Sequence, residues 1–277
     1  MGPAGVTAVE VSVAVPAYNA ARHLPETIAS ILAQEEVALE LLVVDDCSSD
    51  DTADCVAQAA QRDPRVRYLR TPANSGGPAA PRNQAVRAAR GEWVALCDAD
   101  DLWHPRKLRV QLDLARRSGA DLVCSAIEDF VDGQRPPLRQ MRLPTDMPAH
   151  PLPYWQMLIK DRIATSSVLC RREHLLCDGA FDVARELVAV EDYDLWLRLM
   201  ERPGFRVLRI ALPLVAYRRL SGSLSASKWR HMRKVMRVIR LAAERGGWRW
   251  AFPVAAPLLL LGYGGMSVYW RVLKGKL

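Results

Sequence analysis

No two of the six cysteines in this 277-residue chain are spaced C-x-x-C, and none falls in a His/Cys grouping with metal-ligand spacing. That excludes a zinc ribbon and a dithiol redox motif. The thiols read as reduced side chains of a reducing compartment, with Cys97 and Cys124 as small buried hydrophobes inside apolar runs. The opening MGPAGVTAVEV has no basic stretch ahead of an apolar core, so no secretory leader is expected, and Gly2 lacks the Ser or Thr that a myristoylation signal needs. Residues 1–8 read as a flexible start and the body as cytosolic. No internal repeat or low-complexity tract is present. Acid is nearly absent from the end of the chain: residues 228–277 carry eleven Lys/Arg and a single acid, Glu244. Of 38 basic and 31 acidic residues in all, 27 and 30 therefore precede position 228, and the net charge of +7 belongs to the tail. A uniformly basic nucleic-acid surface is not what this pattern describes.

With half its residues apolar and a quarter charged, the chain has an ordinary folded composition. Its length suits one large α/β domain or a domain with an appendage. Short β-branched runs alternate with helical periods through the first half. Strands are predicted at Val9–Val15, Leu39–Asp45, Val66–Arg70, Trp93–Cys97 and Asp121–Ser125, and helices at Leu24–Gln34, Thr52–Gln61, Pro81–Arg90 and Pro105–Arg117. That alternation predicts a Rossmann-like, mostly parallel sheet flanked by helices. Glu128–Pro153 is Pro-rich and reads as a long loop. A strand at Thr165–Cys170, a helix at Val190–Arg202 and a strand at Leu212–Tyr217 follow.

The polar clusters sit just beyond strand C-termini, where open α/β sheets place ligands. Cys97-Asp98-Ala99-Asp100-Asp101 packs three carboxylates into four residues. Such a cluster is unfavourable unless it is solvated as an acidic turn or neutralised by a divalent cation with oxygen ligands. Asp45-Asp46 ends a second strand, and one of the two is left to accept hydrogen bonds from a base or a ribose. Pro16-Ala17-Tyr18-Asn19 ends the first strand, as a plain turn or as an aromatic wall. Asp194 lies four residues before Arg198 and should pair with it along a helix. Thr165-Ser166-Ser167 reads as hydroxyls capping a strand end. No Gly-rich basic loop opens the chain; PAYNA occupies that place, which counts against a nucleotidyltransferase.

The segments VSVAVPAYNA, LLVVDDCSSDDT, NSGGPAAPRNQA, GEWVALCDADDLWHPRKL and VEDYDLWLRL together resemble family 2 glycosyltransferases of the GT-A fold, of the bacterial envelope-polysaccharide type, over about residues 9–220. The resemblance implies a GT-A catalytic domain at 9–227, with a nucleotide-binding half at 9–125 and an acceptor-binding half at 126–227. It implies that Pro16 and Tyr18 border the nucleobase of a nucleotide-diphosphate sugar, most commonly a uridine, and that Asp46 hydrogen-bonds it. Asn74, Gly76 and Arg82 would lie beside the nucleotide. Asp98 and Asp100 would form the D-x-D, with Asp98 towards the ribose and Asp100 on Mg²⁺ or Mn²⁺, while Asp101 braces the turn. Asp192 would be the base of an inverting transfer to a hydroxyl, its proton affinity raised by Glu191. Glu191, Trp196 and Arg218 are candidate acceptor or diphosphate contacts; Trp196 could equally be core, and Arg218 and Arg219 a solvated pair. The resemblance also implies an acceptor contact for Thr165-Ser166-Ser167, as the alternative to a strand-end cap. The chain departs from the family near Leu220, where a His is often found. A catalytically silent carbohydrate-binding scaffold on the same fold is the remaining alternative.

The tail sets a basic arc (Arg230, Arg233, Lys234, Arg237, Arg240) against an apolar one (Met232, Val235, Met236, Ile239, Ala242, Ala243). That is the usual mark of a solvated face over a core-facing stripe, with membrane association as the reading that the following segment favours. Ala251–Trp270 then carries no charge but is broken by Pro253, Pro257, Gly262, Gly264 and Gly265, and basic residues flank both ends. An interfacial or re-entrant anchor on the cytoplasmic membrane face suits this better than a clean span. A lipid-linked glycan acceptor would give the anchor a purpose.

Overall fold

The computed structural model describes residues 8–134, 136, 138, 141–177, 180–219 and 228–248. Strand and helix alternate from the start: β1 (Val11–Ala17), α1 (Leu24–Leu32), β2 (Leu39–Asp45), α2 (Thr52–Arg62), β3 (Val66–Arg70), α3 (Ala79–Ala88) and β4 (Trp93–Leu96). Then come β5 (Leu102–Trp103), α4 (Lys107–Ser118), β6 (Leu122–Phe130), β7 (Ala149–Pro151), α5 (Tyr154–Ile159), β8 (Leu169–Arg171), α6 (Arg172–Leu176), α7 (Glu191–Met200), β9 (Val207–Arg218) and α8 (Lys228–Arg245). The nine strands make one sheet in the order β3-β2-β1-β4-β8-β6-β9-β5, with β7 also on β9. β1 pairs in parallel with β2 and β4, β2 with β3, and β6 with β9. β8 runs antiparallel to both β4 and β6, so β6 recovers the direction of β4 and the sheet is mostly parallel.

The central strands are buried on both faces, which is why they read as near-continuous apolar runs rather than alternating ones. One apolar layer joins Leu42, Val44 and Leu96 to α7 and α8. The other joins Val13, Leu41 and Val43 to α1 and α4. Truncating a side chain as buried as Leu41 to alanine costs about 2–5 kcal/mol.

Three stretches differ from expectation. Thr165–Ser167 is a 3₁₀ turn, and the strand begins only at Leu169. Part of the expected long loop is sheet, because β6 continues to Phe130 and β7 joins β9, whose twelve residues give both a partner. β6 also runs straight through the 125/126 boundary, so strands of both expected halves share one sheet. The apolar stripe of α8 is occupied by the body: Val235, Val238, Ile239, Ala242 and Ala243 are buried in the layer that holds α7. Among the described residues no helix is long and apolar enough to cross a membrane. The expected flexible start (1–7), the Ser221-Gly222-Ser223 loop and the apolar 251–270 segment lie outside the described residues.

Candidate active site

The C-terminal ends of β1, β2 and β4 and the start of α7 open onto a cavity of about 770 Å³. Pro16, Tyr18, Asp46, Asn74, Gly76, Arg82, Asp98, Asp100, Glu191, Asp192 and Arg218 all line it, gathering almost every residue singled out in the sequence. Trp196 is the correction. It has no exposed surface and packs edge-on against Phe181 in the core, so it offers no platform to an acceptor.

At the end of β1, Tyr18 stands 55% exposed beside Pro16, an unusual exposure for an aromatic that leaves its ring open to the cavity. Asp45 and Asp46 divide their work. Asp45 is fully buried, accepting from the Ser48 amide (2.8 Å) and the Tyr68 hydroxyl (2.8 Å). Asp46 reaches the cavity, where its carboxylate organises the following loop by accepting from the Thr71 hydroxyl (2.8 Å), the Ser75 hydroxyl (2.8 Å) and the Ser75 amide. Asn74 spans that loop, donating to the Asp46 carbonyl and accepting from the Gly76 amide, and Gly76 holds a φ of +79° that favours glycine. Asn19, Cys47 and Ala189 also take positive φ around the cavity or next to its lining, the kind of strain that gathers at functional sites.

Arg82, on α3, is the hub. One guanidinium nitrogen donates to Glu191 and another to Asp98, each at 2.7 Å. Burial opposes its charge, but Asp98, Glu191 and Asp192 outweigh burial and raise its pKa. Glu191, on α7, is pushed up by burial and by Asp192, while Arg82 pulls it back. Its Oε2 and the Arg82 Nε are buried without partners.

In the acidic turn the Asp98 amide donates to the Ser166 hydroxyl (2.9 Å). Asp100 is pushed up to about 6 by burial and by the charge of Asp98. Asp101 is wholly buried and accepts the Arg218 amide (2.9 Å), bracing the turn as expected; burial, Asp98 and Asp100 raise its carboxyl well above the ordinary range. Arg218 is a strut: it donates to the Asp100 carbonyl, to Asp132 and to Glu26, and lies over the Phe130 ring. Its guanidinium is already engaged, and exposed Arg219, over Tyr217, is the freer cation at the rim.

Asp98 and Asp100 are hard oxygen donors on one wall of the cavity, and the upward shift of Asp100 marks a surplus of negative charge that a divalent cation would relieve. Among the described residues no group of three or more His, Cys, Asp or Glu could hold a metal alone. The two carboxylates could hold a divalent cation only with further ligands from outside the chain.

Asp192, in the first turn of α7, accepts the Thr165 hydroxyl (2.5 Å) and its neighbour's amide, that of Tyr193 (2.8 Å). The Thr165-Ser166-Ser167 turn thus touches both acidic motifs, Thr165 at Asp192 and Ser166 at Asp98. The sequence reading missed Asp161 and His231, which line the cavity beside Asp192; both sit among charged neighbours on segments with no motif. Asp194 pairs with Arg198 (2.8 Å) as its spacing required.

The family model described as "Glycosyl transferase family 2" matches residues 12–175, more than half of the chain. Succinoglycan biosynthesis protein ExoO of Rhizobium meliloti is 34% identical over 245 residues, covering 87% of this chain and 67% of that protein. The Escherichia coli UDP-Glc:alpha-D-GlcNAc-diphosphoundecaprenol beta-1,3-glucosyltransferase WfgD is 27% identical over 262 residues, covering 91% of each. In fold, the chain is similar to the mannosyltransferase PcManGT from Pyrobaculum calidifontis, solved with GDP-Man and Mn²⁺, with a TM-score of 0.60 at 20% identity over 95% of this chain and 76% of that one. A mostly parallel sheet with acids gathered at its strand ends, together with that family match, makes this chain a member of glycosyltransferase family 2.

Proposed function

We propose that the protein transfers a sugar, with inversion, from a uridine-diphosphate sugar to a hydroxyl of a lipid-linked glycan during envelope polysaccharide synthesis, at the cytoplasmic face of the membrane. The observation that carries the reading is the Arg82 bridge, which joins Asp98 of the acidic turn to Glu191 beside Asp192 and so sets the acidic turn next to a candidate base. The names of WfgD and ExoO support the donor, the lipid-linked acceptor and the envelope setting. Family membership removes the nucleotidyltransferase alternative and favours an enzyme over a silent scaffold.

Each residue then has a task. Pro16 and Tyr18 flank the base, and the loop ordered by Asp46 presents Asn74 and Gly76 to the nucleotide. Asp98 and Asp100 would hold Mg²⁺ or Mn²⁺. When bound, the ion supplies charge neutralisation at the leaving diphosphate. Asp192 takes the proton of the attacking hydroxyl, and Thr165 and the Tyr193 amide fix the carboxylate's orientation for it. Arg219 closes on the diphosphate from the rim. The basic, apolar end of the chain keeps the enzyme on the membrane.

The deciding experiment screens nucleotide sugars for metal-dependent turnover by the full chain, with a chelator as control. Turnover of a UDP-sugar that the chelator abolishes is expected. Turnover that survives the chelator would sink the metal assignment, and turnover of GDP- but not UDP-sugars would sink the uridine one.

A further inference from the structure

The acceptor end of the cavity contains two groups that no motif accounts for. His231 projects from α8, and Asp161 from the segment after α5; both line the cavity with Asp192 and Val235. The Nδ1 of His231 is buried without a hydrogen-bond partner. Leaving a buried ring nitrogen unpaired is unfavourable, so in a pocket it marks a place where a ligand's polar group belongs. Asp161 accepts the Ile163 amide (3.0 Å) on one carboxylate oxygen and lines the same space.

Their surroundings keep both close to neutral. Burial lowers the His231 pKa, the charge of Asp192 raises it and Lys234 lowers it again. Burial and Asp192 together push the Asp161 carboxyl up to about 8. A neutral imidazole and a protonated carboxyl each donate and accept hydrogen bonds, which suits hydroxyls rather than phosphates. The helix is also fixed well enough to aim a side chain. Lys234 donates to the Val188 carbonyl just ahead of α7 (2.5 Å), and Arg245 pairs with Glu201 (2.8 Å) and Asp194 (3.3 Å) at the other end.

We infer that His231 and Asp161 form an acceptor subsite that grips neighbouring hydroxyls of the sugar whose free hydroxyl faces Asp192. This rests on the glycosyltransferase reading above. It also makes α8 part of the catalytic pocket, so the basic end of the chain is joined to the acceptor through one imidazole.

The test uses the full chain loaded with UDP and Mn²⁺. Saturation-transfer NMR reads the binding of p-nitrophenyl β-glucoside, β-galactoside and β-N-acetylglucosaminide, and calorimetry reads UDP. H231A and D161A are expected to weaken glycoside binding at least tenfold and leave UDP affinity within twofold. H231Q, which keeps a donor and an acceptor, should recover most of the loss. Unchanged glycoside binding in both variants, or none to the wild type, overturns the subsite and leaves the donor reading standing. A loss of UDP affinity in H231A, with glycosides unaffected, would assign the imidazole to the diphosphate and overturn the inference. A wild type that binds no UDP overturns the donor reading itself, on the separate calorimetric channel, and the subsite with it.

Discussion

Arg82 donates to Glu191 across 2.7 Å, although 109 positions separate the two in the chain. The same guanidinium holds Asp98, so a single side chain on α3 ties the acidic turn after β4 to the start of α7. Arg82→Ala leaves Glu191 without its buried partner and Asp98 without its cation, and should cost about 3–5 kcal/mol of stability. Arg82→Lys keeps charge but reaches only one carboxylate at a time, and should recover part of that. Urea denaturation of the three proteins checks the order.

Asp100→Asn and Asp192→Asn should fail in different ways. The first removes a hard anionic ligand, and Mn²⁺-dependent UDP binding should be lost. The second leaves donor binding intact and lowers the transfer rate by about 10²–10⁴-fold. Calorimetry with and without Mn²⁺, beside single-turnover transfer, separates them. Normal transfer by Asp192→Asn would move the base elsewhere.

The acidic turn also sets a pH limit. The Asp100 carboxyl, held near 6 by burial and Asp98, must lose its proton before it can ligate a cation. Apparent Mn²⁺ affinity should therefore rise with pH up to about 6 and level off above it. Affinity flat between pH 5 and 7 would show that Asp100 is not the ligand.

Lys107 offers a stability counterpart in the core. It is completely buried, donates to Gln111 (2.8 Å) and sits 3.9 Å from the centre of the Trp103 ring. Burial pulls its pKa down to about 7. Between that value and the ordinary lysine range the unfolded chain binds a proton that the folded chain does not, so stability should rise with pH from about 7 to 10. Lys107→Met, of similar shape, should flatten that rise and stabilise the protein at pH 7. Urea midpoints at pH 7 and 9 check it.

Truncation separates the two parts of the tail. A chain ending at 248 keeps the buried stripe of α8 and should stay folded while leaving the membrane fraction. A chain ending at 227 uncovers the α7 surface that Val235, Val238 and Ile239 cover, and should aggregate. Fractionation and size-exclusion chromatography distinguish the outcomes. A 1–248 protein still in the membrane fraction would place the anchor elsewhere.

Much of the fold was legible because β1, β2 and β4 are buried on both faces and their apolar runs end at polar clusters. The acidic turn was legible for the same reason, since its chemistry is continuous in sequence. Arg82 could be assigned to the cavity but not to its role, because its partners come from distant elements and no local pattern marks them. Trp196 stayed open between core and acceptor platform because Tyr193 to Leu197 are all buried, so period alone cannot separate a core face from a ligand face on α7. Asp161 and His231 lie on an irregular segment and an amphipathic helix, where one charged or polar residue looks like any solvated side chain. The alternation of apolar and basic residues in α8 was read correctly as a stripe, but periodicity does not say whether lipid or protein covers it.

The reversed strand β8, lodged between β4 and β6, fastens the strands on its two sides into one slab. Among the described residues, this sheet leaves no break between its strands about which two lobes could swing shut. The distance between Asp100 and Asp192 is instead set when the backbone folds, and any gating has to come from rim side chains and surface segments that pivot against a fixed floor.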